Sequence, residues 1–312
     1  MRAFLFPGQG SQKVGMGKEL ADAYAPAREV FGTVDEALGE ALSRLMWEGP
    51  EEELTLTRNA QPALMAVSMA VTEVLRREGG FDISKQADFV AGHSLGEYSA
   101  LCSAGTFSLE DTARLLRLRG EAMQRAVPSG EGSMAAVLGL EVEQVVEVAA
   151  TAAEGEVCVV ANDNAPGQIV VSGHANAVSR AMSLAKERGA KRSIPLSVSA
   201  PFHCPLMSPA ADEMRDALSN VETSPPVLPV VANVTASPVN SHAEILNLLV
   251  EQIVSMVRWR ESMNCLASAG VENVVEVGAG SVLTGLARRC SADFTATTLG
   301  TPDEIESFLG NL

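Results

Sequence analysis

Apolar positions along the chain recur with two periods, and the switches between them mark its elements. Ala3-Phe4-Leu5-Phe6 is a short unbroken apolar run closed by Pro7-Gly8, which predicts a buried strand. Apolar residues at helical spacing over 63–75 predict a helix entered through Asn59-Ala60-Gln61-Pro62. After Gly79-Gly80 a second short run, Phe89-Val90-Ala91, leads into Gly92-His93-Ser94-Leu95-Gly96 and the helix-compatible Glu97-Tyr98-Ser99-Ala100-Leu101. Ser108-Leu109-Glu110-Asp111 has the form of a capping box with Asp in the Glu/Gln position, and it starts a helix that continues to about Val127.

From Gly132 the pattern becomes strand 134–138, helix 141–152, strand 157–161, strand 168–172, helix 175–188 and strand 192–198. That β-α-β-β-α-β order, within roughly 70 residues, is the signature of a ferredoxin-like split unit. A strand over 227–234, helices over 245–257 and 261–269, and a strand over 274–277 turning at Gly278-Ala279-Gly280 then resume the earlier style. The expected fold class is α/β: a large domain of residues 1–127 and 200–312 carrying a small inserted domain of residues 128–199. At 312 residues and 46% hydrophobic content the chain can bury such a core without disulfides.

Charge and cysteines narrow the function. Net charge is −16 with no long Lys/Arg run, which argues against nucleic acid as the main partner because phosphate binding needs a basic face. The densest basic cluster, Lys186, Arg188, Lys191 and Arg192, is either a solvated helix end or a local landing site for an acidic partner. Five cysteines, odd in number and without a CxxC pair, read as reduced thiols rather than as disulfides or a metal site. No apolar run approaches membrane-spanning length, and Met1-Arg2 passes directly into a strand, so a cytoplasmic protein with no membrane association is expected.

The glycines around Ser94 allow a sharp strand-to-helix turn that would expose its hydroxyl and leave backbone N–H groups at the helix start unpaired, the features of a nucleophile elbow. The same pattern also serves as a plain glycine-rich turn. A serine needs a base, and of the four histidines His93 adjoins the serine while His174 and His242 sit in turn-like stretches. His203, between Pro201 and Pro205 at the return to the large domain, remains as candidate base or as a satisfied loop histidine. No acid is marked as a third triad member, and a backbone carbonyl can orient an imidazole instead. The loop from Pro7 to Gln12 fails the dinucleotide pattern at Lys13 and the phosphate-loop pattern at Gln12, which leaves oxyanion binding or a tight turn. Arg119 has Leu115, Leu116, Ala122 and Met123 three and four positions away, so its guanidinium lies on an apolar helix face. It needs either a structural carboxylate or a bound anion.

Seven motifs in order, Phe6-Pro7-Gly8-Gln9-Gly10-Ser11-Gln12, Asn59-Ala60-Gln61-Pro62-Ala63, Gly92-His93-Ser94-Leu95-Gly96-Glu97-Tyr98, Leu118-Arg119-Gly120, Asn164-Ala165-Pro166-Gly167-Gln168, Pro201-Phe202-His203 and Glu276-Val277-Gly278-Ala279-Gly280, closely resemble the malonyl-CoA:acyl carrier protein transacylase family. The resemblance runs from residue 3 to about residue 290. It implies a hydrolase-like large domain with a parallel sheet and nucleophile elbow, a ferredoxin-like small domain, and a site between them. It also implies roles: Ser94 as acylated nucleophile, His203 as base, the backbone N–H groups of Gln9 and Leu95 as oxyanion hole, and the Gln252 carbonyl as orienter of the histidine. Arg119 would hold the malonyl carboxylate, and Gln61 and Met123 would line the pocket. Leu95 and Phe202 bear on selectivity: in related polyketide acyltransferases a phenylalanine just before the histidine goes with malonyl substrates and a serine with methylmalonyl, so Phe202 implies a malonyl preference. Ala279 stands where many relatives have proline.

The implied reaction moves malonyl from malonyl-CoA to the phosphopantetheine thiol of an acyl carrier protein, with no metal or redox cofactor. An esterase or thioesterase would use the same elbow and deliver the acyl group to water. A carrier-binding module with a dead site would need neither Ser94 nor His203.

Overall fold

The structure, a computed structural model, describes residues 1–311 except the side chains of Ile83 and Ser84. Its strands are β1 (Arg2–Phe6), β2 (Phe89–Gly92), β3 (Gly132–Leu138), β4 (Cys158–Ala165), β5 (Gln168–His174), β6 (Arg192–Pro195), β7 (Val230–Ala232), β8 (Ser237–Val239), β9 (Asn273–Val277) and β10 (Thr295–Leu299). They form a mixed α/β structure with two sheets. The larger has the order β10-β9-β1-β2-β7-β8, parallel throughout except for the β7/β8 hairpin.

β1 shows why that sheet is buried on both sides. Ala3, Phe4, Leu5 and Phe6 are all fully buried, with Phe4 and Phe6 in one apolar cluster and Ala3 and Leu5 in another. Alternate side chains point to opposite faces, so an unbroken apolar run needs helices on both. The helices Thr57–Arg77 and Leu109–Arg125 contribute to the first cluster, Trp259–Ser268 and Val282–Cys290 to the second.

Residues 132–195 build the second sheet, antiparallel in the order β4-β5-β3-β6. The period of two is visible again. Ala135, Val137, Ile169 and Val171 pack under the helices Val142–Ala153 and Ala175–Glu187, while Met134 and Val170 face the opposite way and join the large cluster. The end of β4 is tied to the larger sheet's helices: Asn162 bridges Val257, and the buried Asp163 carboxylate accepts from Arg260 Nε at 2.9 Å.

Several expected boundaries move. The helix expected over 63–75 starts at Thr57, so Asn59, Gln61 and Pro62 lie within it rather than before it. Pro62, its sixth residue, forfeits the backbone hydrogen bond that the Arg58 carbonyl would otherwise accept. The strand expected over 227–234 is the short β7, since Pro229 precedes it and a turn through Ala236 at φ 50° folds the chain into β8. β6 stops at Pro195, and β4 extends to Ala165. The helix expected over 245–257 spans His242–Gln252. His242 is thus a helix residue, and His174 ends β5 with its Nδ1 accepting from Val157 N at 2.9 Å.

Candidate active site

β2 ends at Gly92 and the helix Leu95–Ser103 begins three residues later, with Ser94 as its N-cap at φ 54° and ψ −110°. Serine seldom adopts that conformation, and the neighbouring glycines make the turn possible. A Cβ on Gly92 would lie 1.9 Å from the Gly96 carbonyl oxygen, and one on Gly96 2.2 Å from that of Phe6. Asn233, just after β7, straps the turn: its Oδ1 accepts from Ser94 N and its Nδ2 donates to Gly92 O, both at 2.7 Å. The backbone N–H groups of Gln9 and Leu95 donate to no acceptor among the described residues, and both residues line the adjoining cleft.

The helix His242–Gln252 ends at the right place to explain His203. Beyond its last residues a helix carries carbonyls without intrahelical partners, and the Gln252 carbonyl accepts from His203 Nδ1 at 2.8 Å. Had the helix continued to 257, that carbonyl would be consumed within it. With Nδ1–H so engaged, Nε2 is the accepting nitrogen, and the Ser94 hydroxyl donates to it at 2.8 Å. Burial, and next the positive charge of Arg119, push His203 down to about 3, so it is neutral in the resting site.

Arg119 is 1% exposed and meets no carboxylate in an ion pair among the described residues. Its guanidinium instead donates to three neutral oxygens: Nη1 to Gln61 Oε1 at 2.7 Å, and Nη2 to Gln252 Oε1 at 2.8 Å and to Ser94 Oγ at 3.1 Å. Nε finds no partner, and the face of the fully buried Tyr98 lies 5.6 Å away. Burial lowers its pKa from the usual arginine value. A buried cation held beside a serine hydroxyl and lacking a direct countercharge is suited to an incoming anion.

These groups open on a cleft of about 320 Å³ between the two sheets. Ser94, His203, Arg119, Gln61, Met123 and Phe202 all line it, with Met134 and Val170 of the second sheet on the other side. Gln61 Nε2 reaches Met123 Sδ at 3.7 Å. Ser94, His203, Arg119, Gln9, Leu95, Gln61, Met123 and Phe202 are therefore gathered at one place, with Gln252 directly behind, while the basic cluster of Lys186, Arg188, Lys191 and Arg192 lies outside it. His93 is turned away from Ser94: its Nε2 meets Asn164 Oδ1 at 2.8 Å and its ring packs 5.4 Å from Trp259.

Asn233 and Glu97 escaped sequence reasoning. Asn233 lies in no motif, and only the structure shows it under the elbow. Glu97 was inside a motif, but nothing in the residue string says that its carboxylate is buried. Among the described residues no group of three or more His, Cys, Asp or Glu side chains is arranged to hold a metal.

The Acyl transferase domain model matches residues 3–301. The chain belongs to the malonyl-CoA:acyl carrier protein transacylase family. The malonyl CoA-acyl carrier protein transacylase of Bacillus subtilis strain 168 is 47% identical over 305 residues, covering 97% of this chain and 95% of that one. An acyl-carrier-protein S-malonyltransferase structure from Bartonella henselae matches with a TM-score of 0.97 at 55% identity, covering 99% and 98% of the two chains. A further structure, a type II PKS acyl-carrier protein in complex with its malonyl-transacylase, matches with a TM-score of 0.96 at 40% identity, covering 100% and 99%.

Proposed function

We propose that the chain transfers malonyl from coenzyme A to an acyl carrier protein through a malonyl-serine intermediate. The observation that carries this reading is the buried Arg119 guanidinium, without an ion-pair partner and 3.1 Å from the Ser94 hydroxyl. A carboxylated acyl group supplies the missing negative charge and is thereby placed with its thioester at the nucleophile. Ser94 gives its proton to His203 Nε2 as the Ser94 Oγ–carbon bond forms, and the developing oxyanion accepts from Gln9 N and Leu95 N. The carbon–sulfur bond then breaks, and the proton on His203 passes to the departing coenzyme A sulfur. The carrier's phosphopantetheine thiol next gives its proton to His203 as its sulfur bonds to the malonyl carbonyl carbon, and that proton returns to Ser94 Oγ as the serine ester bond breaks.

The malonyl carboxylate also tunes the base. After burial, Arg119 is the largest cause that depresses His203, so neutralising it on binding raises His203 and makes it a better proton acceptor when substrate is present. Phe202, beside His203 in the cleft, leaves little room for a branch at the substrate α-carbon, which supports malonyl over methylmalonyl. Protein groups fill every role, so the proposed reaction needs no cofactor.

In this reading the larger sheet with its elbow is hydrolase-like, formed by residues 1–127 and 200–312, and residues 128–199 are an inserted ferredoxin-like domain that closes the cleft. The β4-β5-β3-β6 order supports that description. A cytoplasmic setting is supported by five free cysteines, and no helix among the described residues is long and apolar enough to cross a membrane. Intact-protein mass spectrometry after brief exposure to malonyl-CoA tests the function: a malonyl adduct mapped to Ser94 is expected, discharged by carrier protein much faster than by water. Discharge by water alone, at the same rate with and without carrier, would make the chain a hydrolase.

The carrier docks, on this proposal, beside β6. Lys186, Arg188, Lys191 and Arg192 are all exposed, and β6 leads from them to Leu196, Ser197 and Val198 in the cleft wall, a distance of about 13 Å. Arg188 is shared with Glu147 at 3.6 Å. An acidic carrier approaching a chain of net charge −16 needs local positive potential. Lys191→Glu with Arg192→Glu is expected to slow transfer to carrier several-fold at low salt and flatten its salt dependence, leaving acylation by malonyl-CoA unaltered. Unchanged transfer kinetics at low salt would remove this surface.

A further inference from the structure

The mechanism above leaves one buried carboxylate in the site without a role. Glu97, in the first turn of the helix Leu95–Ser103, is 2% exposed, and its Oε2 accepts from Gln252 Nε2 at 2.8 Å and from Asn233 N at 3.1 Å. Gln252 is fully buried and committed at every polar atom these contacts reach. Its Oε1 accepts from Arg119 Nη2, its Nε2 donates also to the Ser94 carbonyl at 3.1 Å, and its backbone oxygen accepts from His203.

A glutamine amide has two orientations related by exchange of its oxygen and nitrogen. Only one sets Oε1 against the guanidinium of Arg119; the other turns an N–H toward N–H groups and pushes the arginine away. A carboxylate accepts and does not donate, so it can face only the NH2 end. Asn233 N pins the same oxygen from the other side. We propose that Glu97 is a positioning residue: by capturing Nε2 of Gln252 it locks the amide in the orientation that holds Arg119 against Ser94, and so sets the preference for carboxylated acyl groups. This rests on the malonyl-transfer reading.

The role belongs to the acceptor and its reach rather than to its charge. Burial pushes Glu97 up to about 7, and a protonated carboxyl still offers an acceptor oxygen. Glu97 also makes no ion pair with Arg119. Two variants separate these properties. Glu97→Asp keeps the charge and withdraws the acceptor by about 1.5 Å, one methylene. Glu97→Gln keeps the reach and an acceptor oxygen without the charge.

The test is the acylation kcat/KM for malonyl-CoA and acetyl-CoA on the full chain, with thermal unfolding alongside. Glu97→Asp is expected to lower the malonyl-to-acetyl ratio about tenfold, the scale of one weakened charge-assisted hydrogen bond. Glu97→Gln is expected to hold or raise the ratio. In an Arg119→Ala background Glu97→Asp leaves the ratio where it is, because the group it positions is gone. An unchanged ratio in Glu97→Asp, an equal fall in Glu97→Gln, or a further fall in the Arg119→Ala background would each overturn the proposal. If Glu97→Asp does not fold, the isosteric Glu97→Gln still decides it: a fall in its ratio refutes the positioning role and a retained ratio supports it. A parent enzyme that forms no malonyl-serine would instead overturn the functional reading itself.

Discussion

Ser94→Ala forms no malonyl adduct, and His203→Ala acylates more slowly by about a thousandfold or more, since nucleophile and base act as one unit. The 2.8 Å contact between Ser94 Oγ and His203 Nε2 and the 2.8 Å contact from Nδ1 to the Gln252 carbonyl leave no other proton acceptor poised on that hydroxyl. Stopped acylation with coenzyme A release as the readout measures both, and unfolding curves close to the parent's are expected. Adduct formation by Ser94→Ala would move the nucleophile elsewhere. The pH profile adds a sign. A base held near 3 in the free enzyme is neutral throughout pH 5–8, so acylation should show no loss of rate through ordinary histidine protonation as pH falls to 5.

Arg119→Ala reverses the substrate preference. The lost charge-assisted hydrogen bonds should cost malonyl transfer roughly 2–5 kcal/mol, the range for truncating one partner of a buried charge pair. Acetyl transfer makes no use of them and should hold steady or rise. Comparing kcat/KM for malonyl-CoA and acetyl-CoA on parent and variant decides this, with melting temperature as the control. Equal losses on both substrates with a collapsed melting temperature would make Arg119 a structural group, held by Gln61 and Gln252 for the sake of the fold.

The length over which a pattern extends accounts for part of what was legible. Thr57–Arg77 and Leu109–Arg125 are long enough for helical spacing to show, and β1, β2 and β9 are nearly unbroken apolar runs. Lys18–Ala23, Leu42–Glu48 and Glu51–Thr55 went unread because each is shorter than two turns, whereas Ala25–Leu38 and Ser208–Ser219 went unread although each exceeds three turns. β10, Thr-Ala-Thr-Thr-Leu at the sheet edge, has only Leu299 fully buried, so no apolar run announces it. In the site, Ser94, His203 and Arg119 could be singled out because each is odd in its own neighbourhood: a serine between turn glycines, a histidine between prolines, a cation on an apolar face. Asn233 and the side chain of Gln252 could not. Their roles exist only where β7 and the end of a distant helix pass behind the elbow, and no local feature records that meeting.

Ser94 at φ 54° and His203 at φ 57° are two of only four non-glycine residues with positive φ among the described residues. The groups proposed to exchange the reacting proton thus occupy backbone shapes that glycine would fill with less strain. Heat resistance and turnover would consequently pull apart first at Ser94, since the buried His203 ring fills space and satisfies the Gln252 carbonyl. A selection that rewarded only survival at high temperature would be free to put glycine at the elbow, and on the proposed mechanism would arrive at a catalytically silent relative.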